Sequence, residues 1–153
     1  MNPTTYAIAG ALISGALVAA QSPTNAALAR GAGSPVNAAF ISFAVGTTAL
    51  ALAVTALAYL APGQRPQASS LRVLPLWTWL GGVYGAMFVS AITFAAPKIG
   101  VGAALTLSVA AQLGMAVAID HFGWFGLPRR PMDLTRVIGV AMVFGGAFLV
   151  RRN

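Results

Sequence analysis

Few side chains in this sequence can do chemistry, and their spacing is uneven. Asp120 and His121 are adjacent, in the stretch Gln112 to Pro131 that ends in Arg129 and Arg130. A carboxylate beside an imidazole is able to take up and release a proton near neutral pH. The plainer reading is stronger: Asp120 pairs with Arg129, Arg130 or Arg136 and fastens a loop, while His121 sits among lipid headgroups, the usual fate of such residues at a membrane surface. Asp133 reads as the cap of a following helix. Upstream, Gln112 falls in the middle of an apolar run, where it would orient a polar solute or hydrogen-bond another helix. Gln21 and Asn25 are four residues apart and share a face of any helix that continues through them, as an entrance lining or a helix-end network. The chain has no cysteine, which excludes disulfides and thiolate chemistry. One histidine and two aspartates fall short of the three protein ligands usual at catalytic zinc, so no metal or other cofactor is expected, and no phosphate-binding loop is present.

The elements that must position these residues are apolar. Of 153 residues 58% are hydrophobic and 7% charged, against about 25% charged in a soluble domain, and the mean hydropathy is +0.82. Runs of 18 or more apolar residues read as membrane spans, so the fold class is an all-α integral membrane protein, not an enzyme. The net charge of +7 would suit nucleic acid, but no basic block exists; the basic residues punctuate the apolar runs as helix-end anchors do. Five spans are expected in one transmembrane domain over 1–153, at about 4–22, 36–60, 74–96, 100–119 and 135–150. Val18-Ala19-Ala20 resembles a signal cleavage site, but the start lacks the basic region such signals carry. The first span is read as ending at Ala20 or running on to Leu28, and the turn Gln21 to Asn25, with Gly31, Gly33 and Pro35, is expected to break the helix. Pro97 to Gly100 is expected to form a tight connection. The fifth span has only Val137 to Val150 between arginines, about 21 Å at 1.5 Å per residue, short of a core roughly 30 Å thick. Tyr59, Trp77, Trp79 and Trp124 suit interfacial anchoring.

Small residues mark faces for close helix approach: Gly81, Gly82 and Gly85 in the third span, Gly139 and Gly146 in the fifth, and Gly10-x3-Ser14 in the first. The plainer reading of these is ordinary packing. Charge placement says more. Five spans put Arg65, Arg72, Arg129, Arg130 and Arg136 on one side and Arg30, Lys98, Arg151 and Arg152 on the other. A difference of one is almost no orientation signal. Insertion both ways up with antiparallel pairing, and a weak fixed preference, both stay open.

Several blocks together resemble a known family. They are Gln21-x3-Asn25, Gly33-Ser34-Pro35 with Ser42-Phe43 and Gly46, Trp79-x-Gly81-Gly82-x2-Gly85-Ala86, Ala96-Pro97-x-Ile99-Gly100, and Gln112-Leu113 leading to Asp120-His121-Phe122-Gly123 and Phe125-Gly126. The chain resembles the YdcZ-like family of small bacterial inner-membrane proteins in the drug/metabolite transporter superfamily, over nearly its whole length. The resemblance implies a multi-pass half-unit of an inverted-repeat transporter, working as a homodimer, with a paralogous partner, or as a fused pair. Related small multidrug resistance proteins carry a glutamate in the first helix. This chain has none, and Ser14 stands where that carboxylate is expected, which argues against proton-coupled drug antiport through that position.

The sequence therefore points to a secondary-transporter-like protein that moves a small polar or metabolite-like solute as an antiparallel or paired dimer, with the lipid bilayer as its solvent and no nucleic acid partner. The candidates for the path are Gln112, Asp120, His121, Gln21, Asn25 and Ser14. The alternatives are a non-transporting accessory subunit and a small dual-topology ion channel.

Overall fold

A computed structural model describes residues 2–61, 63 and 68–151. Among them are five helices long and apolar enough to cross a membrane. They are α1 (Pro3–Ala32), α2 (Pro35–Leu60), α4 (Gly81–Ile99), preceded by a 3-10 segment Leu76–Leu80, α5 (Val101–Phe122) and α6 (Leu134–Arg151). A short α3 (Ala68–Leu71) lies between α2 and α4. Between α2 and α3, residues 62 and 64–67, Arg65 among them, lie outside the described residues, as do Arg152 and Asn153. Alanine, leucine and valine dominate the spans; alanine has the best intrinsic helix propensity, and a helix satisfies its own backbone where no water can.

The expected break at Gln21 to Asn25 is corrected: α1 runs through Pro23 to Ala32. Pro23 has no N–H to give the Ala19 carbonyl, a fault that would end many soluble helices. Spanning helices tolerate it, because neighbouring groups take over the freed carbonyl. Gly33 (φ +80) and Ser34 alone join α1 to α2. Ser34 is the N-cap: its Oγ accepts from the Asn37 amide at 3.1 Å, with Pro35 in the first turn. Asn37 Nδ2 donates to the Ala32 carbonyl at 2.8 Å, tying off the end of α1.

A tight connection was expected over Pro97 to Gly100, and it is tighter still: Pro97, Lys98 and Ile99 stay within α4. Gly100 (φ +84) is the whole link to α5, in a backbone region that suits glycine. The fifth span is also longer than expected. Asp133 Oδ1 accepts from the Arg136 amide at 2.8 Å, so α6 starts at Leu134 and counts 18 residues. That is about 27 Å, close to the hydrocarbon thickness.

The chain divides into two compact units, residues 1–20 with 95–153 and residues 21–94. Within the first, α5 and α6 form an antiparallel hairpin. Gly102 faces Val150, Gly114 faces the Phe144 ring, and Asp120 faces Arg136, so the partner number falls as the α5 number rises. Within the second, Gly85 of α4 meets the Phe43 ring of α2, which lies 3.2 Å from where a Cβ would stand. No such neighbour lies within 4 Å at Gly81, Gly82, Gly139 or Gly146; their faces are open in the single chain.

Candidate functional site

The polar side chains gather in two places. The first is the end of α5. A helix leaves its last four carbonyls without partners, and here the following segment folds back to supply them. The Gly123 amide (φ +66) donates to the Ile119 carbonyl, the Arg130 amide to the Asp120 carbonyl at 2.8 Å, and Arg129 Nε to the Phe122 carbonyl at 3.3 Å. A cation suits that end of the helix dipole. Phe122 and Trp124 stack at 5.3 Å between ring centroids.

Asp120 and His121 belong to this cap, inside the last turn of α5. Asp120 Oδ2 faces Arg136 Nη1 at 3.5 Å, and the same Nη1 donates to the Arg130 carbonyl at 3.4 Å. His121 Nδ1 accepts from the Met132 amide at 3.0 Å. The acid and the imidazole are thus each held by the α5–α6 connection.

Between the two helices of the hairpin lies a groove of about 470 Å³, with Leu113, Val117, Val140 and Val143 on its walls, Gly139 opposite, and the Asp120–Arg136 pair at one end. Its walls are apolar apart from that pair.

The second place is the unit 21–94, which holds the three buried polar side chains among the described residues: Ser22, Asn25 and Thr93, all 3% exposed or less. Ser22 and Asn25 share a face of α1, one turn apart. On the part of α4 in this unit, Val89 and Thr93 are buried one turn apart. Ser22 Oγ and Thr93 Oγ1 have no hydrogen-bond partner. Leaving a buried polar atom unsatisfied costs about 1–3 kcal/mol.

The remaining candidates lie apart. Gln112 is exposed in the single chain and its Nε2 donates to Ser108 Oγ of its own helix at 2.8 Å, where a bond to another helix or a solute was expected. Ser14 is exposed and its hydroxyl bonds the Ala11 carbonyl at 2.8 Å. Gln21, four residues before the buried Asn25, is exposed. Of the six candidates, then, only Asp120 and His121 stand together. Sequence reasoning missed Ser22 and Thr93 as buried groups. The available signal was their position relative to proline: Ser22 immediately precedes Pro23, and Thr93 is four residues before Pro97, so its carbonyl is the one Pro97 leaves without a donor.

Residues 6–149 match the model of the family described as "Putative inner membrane exporter, YdcZ". The chain belongs to this family. No curated protein and no solved structure matches it. The resemblance carried by the glycine, proline and Asp-His-Phe-Gly blocks is thereby confirmed. YdcZ-family membership, together with five apolar helices, makes this a multi-pass inner-membrane protein with a transporter-like role. The family is one of membrane exporters and not an enzyme class.

Proposed function

We propose that the chain is one half of a secondary carrier that exports a small polar solute, and that two copies inserted in opposite orientations complete the path. The observation that carries this reading is an exporter-family chain with an odd number of spans and almost no charge bias. Arg30, Lys98 and Arg151 occupy the last turns of α1, α4 and α6, the ends that five successive crossings bring to one side. Arg72, Arg129, Arg130 and Arg136 belong to the other. Lys and Arg in short loops set orientation, and so even a division lets the chain insert both ways. An odd-span unit paired with its inverted copy has the symmetry of many secondary transporters. Two faces of the single chain suit such pairing. The apolar groove of the α5–α6 hairpin and the open glycine positions of α4 and α6 are unfilled, and close approach through small residues is how helices associate in lipid.

The absence of native cysteine makes the test direct. Met132, exposed in the α5–α6 connection, is replaced by cysteine, and cells are treated with a membrane-impermeant thiol reagent before and after lysis. Labelling of about half the chains in intact cells is expected, since opposed insertion places each connection on either side equally often. Labelling of all chains or of none fixes one orientation and overturns the inverted homodimer, leaving a paralogue of opposite orientation as the partner.

A further inference from the structure

Hydroxyls on membrane helices ordinarily satisfy themselves by donating to a carbonyl one turn back on their own helix. This chain follows that habit at Ser14, Thr48, Thr55, Ser90 and Thr106, each bonded to the carbonyl three or four residues earlier. Ser22 and Thr93 do not follow it. Both are buried, and neither hydroxyl has a partner. At Thr93 the shortfall is doubled, because Pro97 removes the N–H that would have bonded the Thr93 carbonyl. Asn25, buried one turn from Ser22 on the same face of α1, adds an amide with two donors and an acceptor.

We propose that Ser22, Asn25 and Thr93 form one binding site, within the unit 21–94, for an uncharged solute rich in hydroxyl or amide groups. Unpaired polar groups kept inside a membrane protein mark solute and ion pathways, and irregular backbone at such depth is tolerated where it serves a cavity. The set carries no formal charge. The sequence has two acidic side chains, Asp120 and Asp133, and both lie outside 21–94, so this unit itself offers a cation no counter-charge. None of the three side chains is a cation; Arg30 on α1 and Lys98 on α4 each lie five residues beyond Asn25 or Thr93, about 7.5 Å along the axis. What these groups match is a neutral molecule that both donates and accepts, such as a polyol or a primary amide. At 3% exposure or less the site is closed in this state, as a carrier's site is between its two openings.

The inference rests on the carrier reading for the purpose of the site, but its test needs no flux. Ser22→Cys and Thr93→Cys are made singly in the cysteine-free chain, reconstituted in liposomes, and reacted with a water-soluble methanethiosulfonate. These reagents attack the thiolate, which forms where water reaches. Ala39→Cys, at a buried apolar position of the same unit, is the control. Both cysteines are expected to react at least tenfold faster than the control. Erythritol or acetamide is expected to slow them at least threefold, with the same half-protecting concentration at both positions. Choline chloride and sodium lactate are expected to give no such protection. Labelling as slow as the control, equal protection by either salt, unequal protection of the two positions, or protection by neither neutral probe would each overturn the site.

The double variant Ser22→Ala, Thr93→Val supplies a second readout. Its thermal midpoint in detergent is expected to stay level or rise, because no hydrogen bond is lost. A lowered midpoint would mean the hydroxyls are paired inside the folded chain and would also overturn the site. Protection without any flux would sink the carrier reading while keeping the site; flux by the double variant equal to the parent's would do the reverse.

Discussion

Gly85→Val is expected to cost about 1–3 kcal/mol of stability, the usual penalty for forcing extra methyl groups into a packed contact. The Phe43 ring stands 3.2 Å from the place a Cβ would take at Gly85, so even alanine obliges the ring to shift by a few tenths of an ångström. Valine adds two further carbons against the same ring and has little χ1 freedom on a helix to avoid it. The damage would fall in the unit 21–94, where α2 meets α4 and where Ser22, Asn25 and Thr93 are buried. Shortening the obstacle should repair it: Phe43→Leu combined with Gly85→Val is expected to recover most of the loss. Unfolding of the four chains in detergent, compared as a double-mutant cycle, reads the coupling. Additive losses would show that ring and glycine do not constrain each other. Gly114→Ala is the natural contrast, since its Cβ would meet Phe144 at 3.7 Å, an ordinary contact.

Arg136→Asp is the second large effect. It removes the cation facing Asp120 at 3.5 Å and the donor to the Arg130 carbonyl. The new carboxylate would stand beside Asp120 and three residues from Asp133, bringing together every acidic group of the chain. The native pair is about a third exposed on each side, and exposed pairs contribute little, about 0–1 kcal/mol. Reversal is worse than deletion, because like charges are forced together where lipid limits the water that screens them. Arg136→Met should therefore lower the unfolding midpoint slightly, and Arg136→Asp much more. The swap Asp120→Arg with Arg136→Asp should recover most of the difference. Equal midpoints for the Met and Asp variants would show that the pair does not fasten the connection between α5 and α6.

The fold was legible because lipid imposes a blunt rule. Twenty apolar residues must be a helix, and charges and prolines separate one span from the next. Where the reading failed, it carried over habits of water-soluble proteins. Pro23 reads as a breaker in water, yet α1 passes through it. The sixteen positions assigned to the last span undercounted it, because Asp133 caps the helix before Leu134 and Arg136 is accommodated inside the first turn. The candidate site was less legible. Asp120 and His121 draw the eye because ionisable groups are rare here, but both are bound into the connection that follows α5. Gln112 has its partner one turn away at Ser108. Ser22 and Thr93 look ordinary in a sequence. Their distinction is that both hydroxyls are buried with no hydrogen-bond partner, and that is a property of the fold.

The central claim is that this chain alone carries solute across a membrane. The direct measurement loads liposomes containing the purified chain with a water-soluble cell extract and follows by mass spectrometry which compounds leave faster than from protein-free liposomes. The account predicts that a few small uncharged polar compounds escape, at rates that saturate with their internal concentration. If no compound leaves faster than from empty liposomes, the chain is an accessory subunit; if small ions of every kind leave without saturation, it is a channel. Either result contradicts the account.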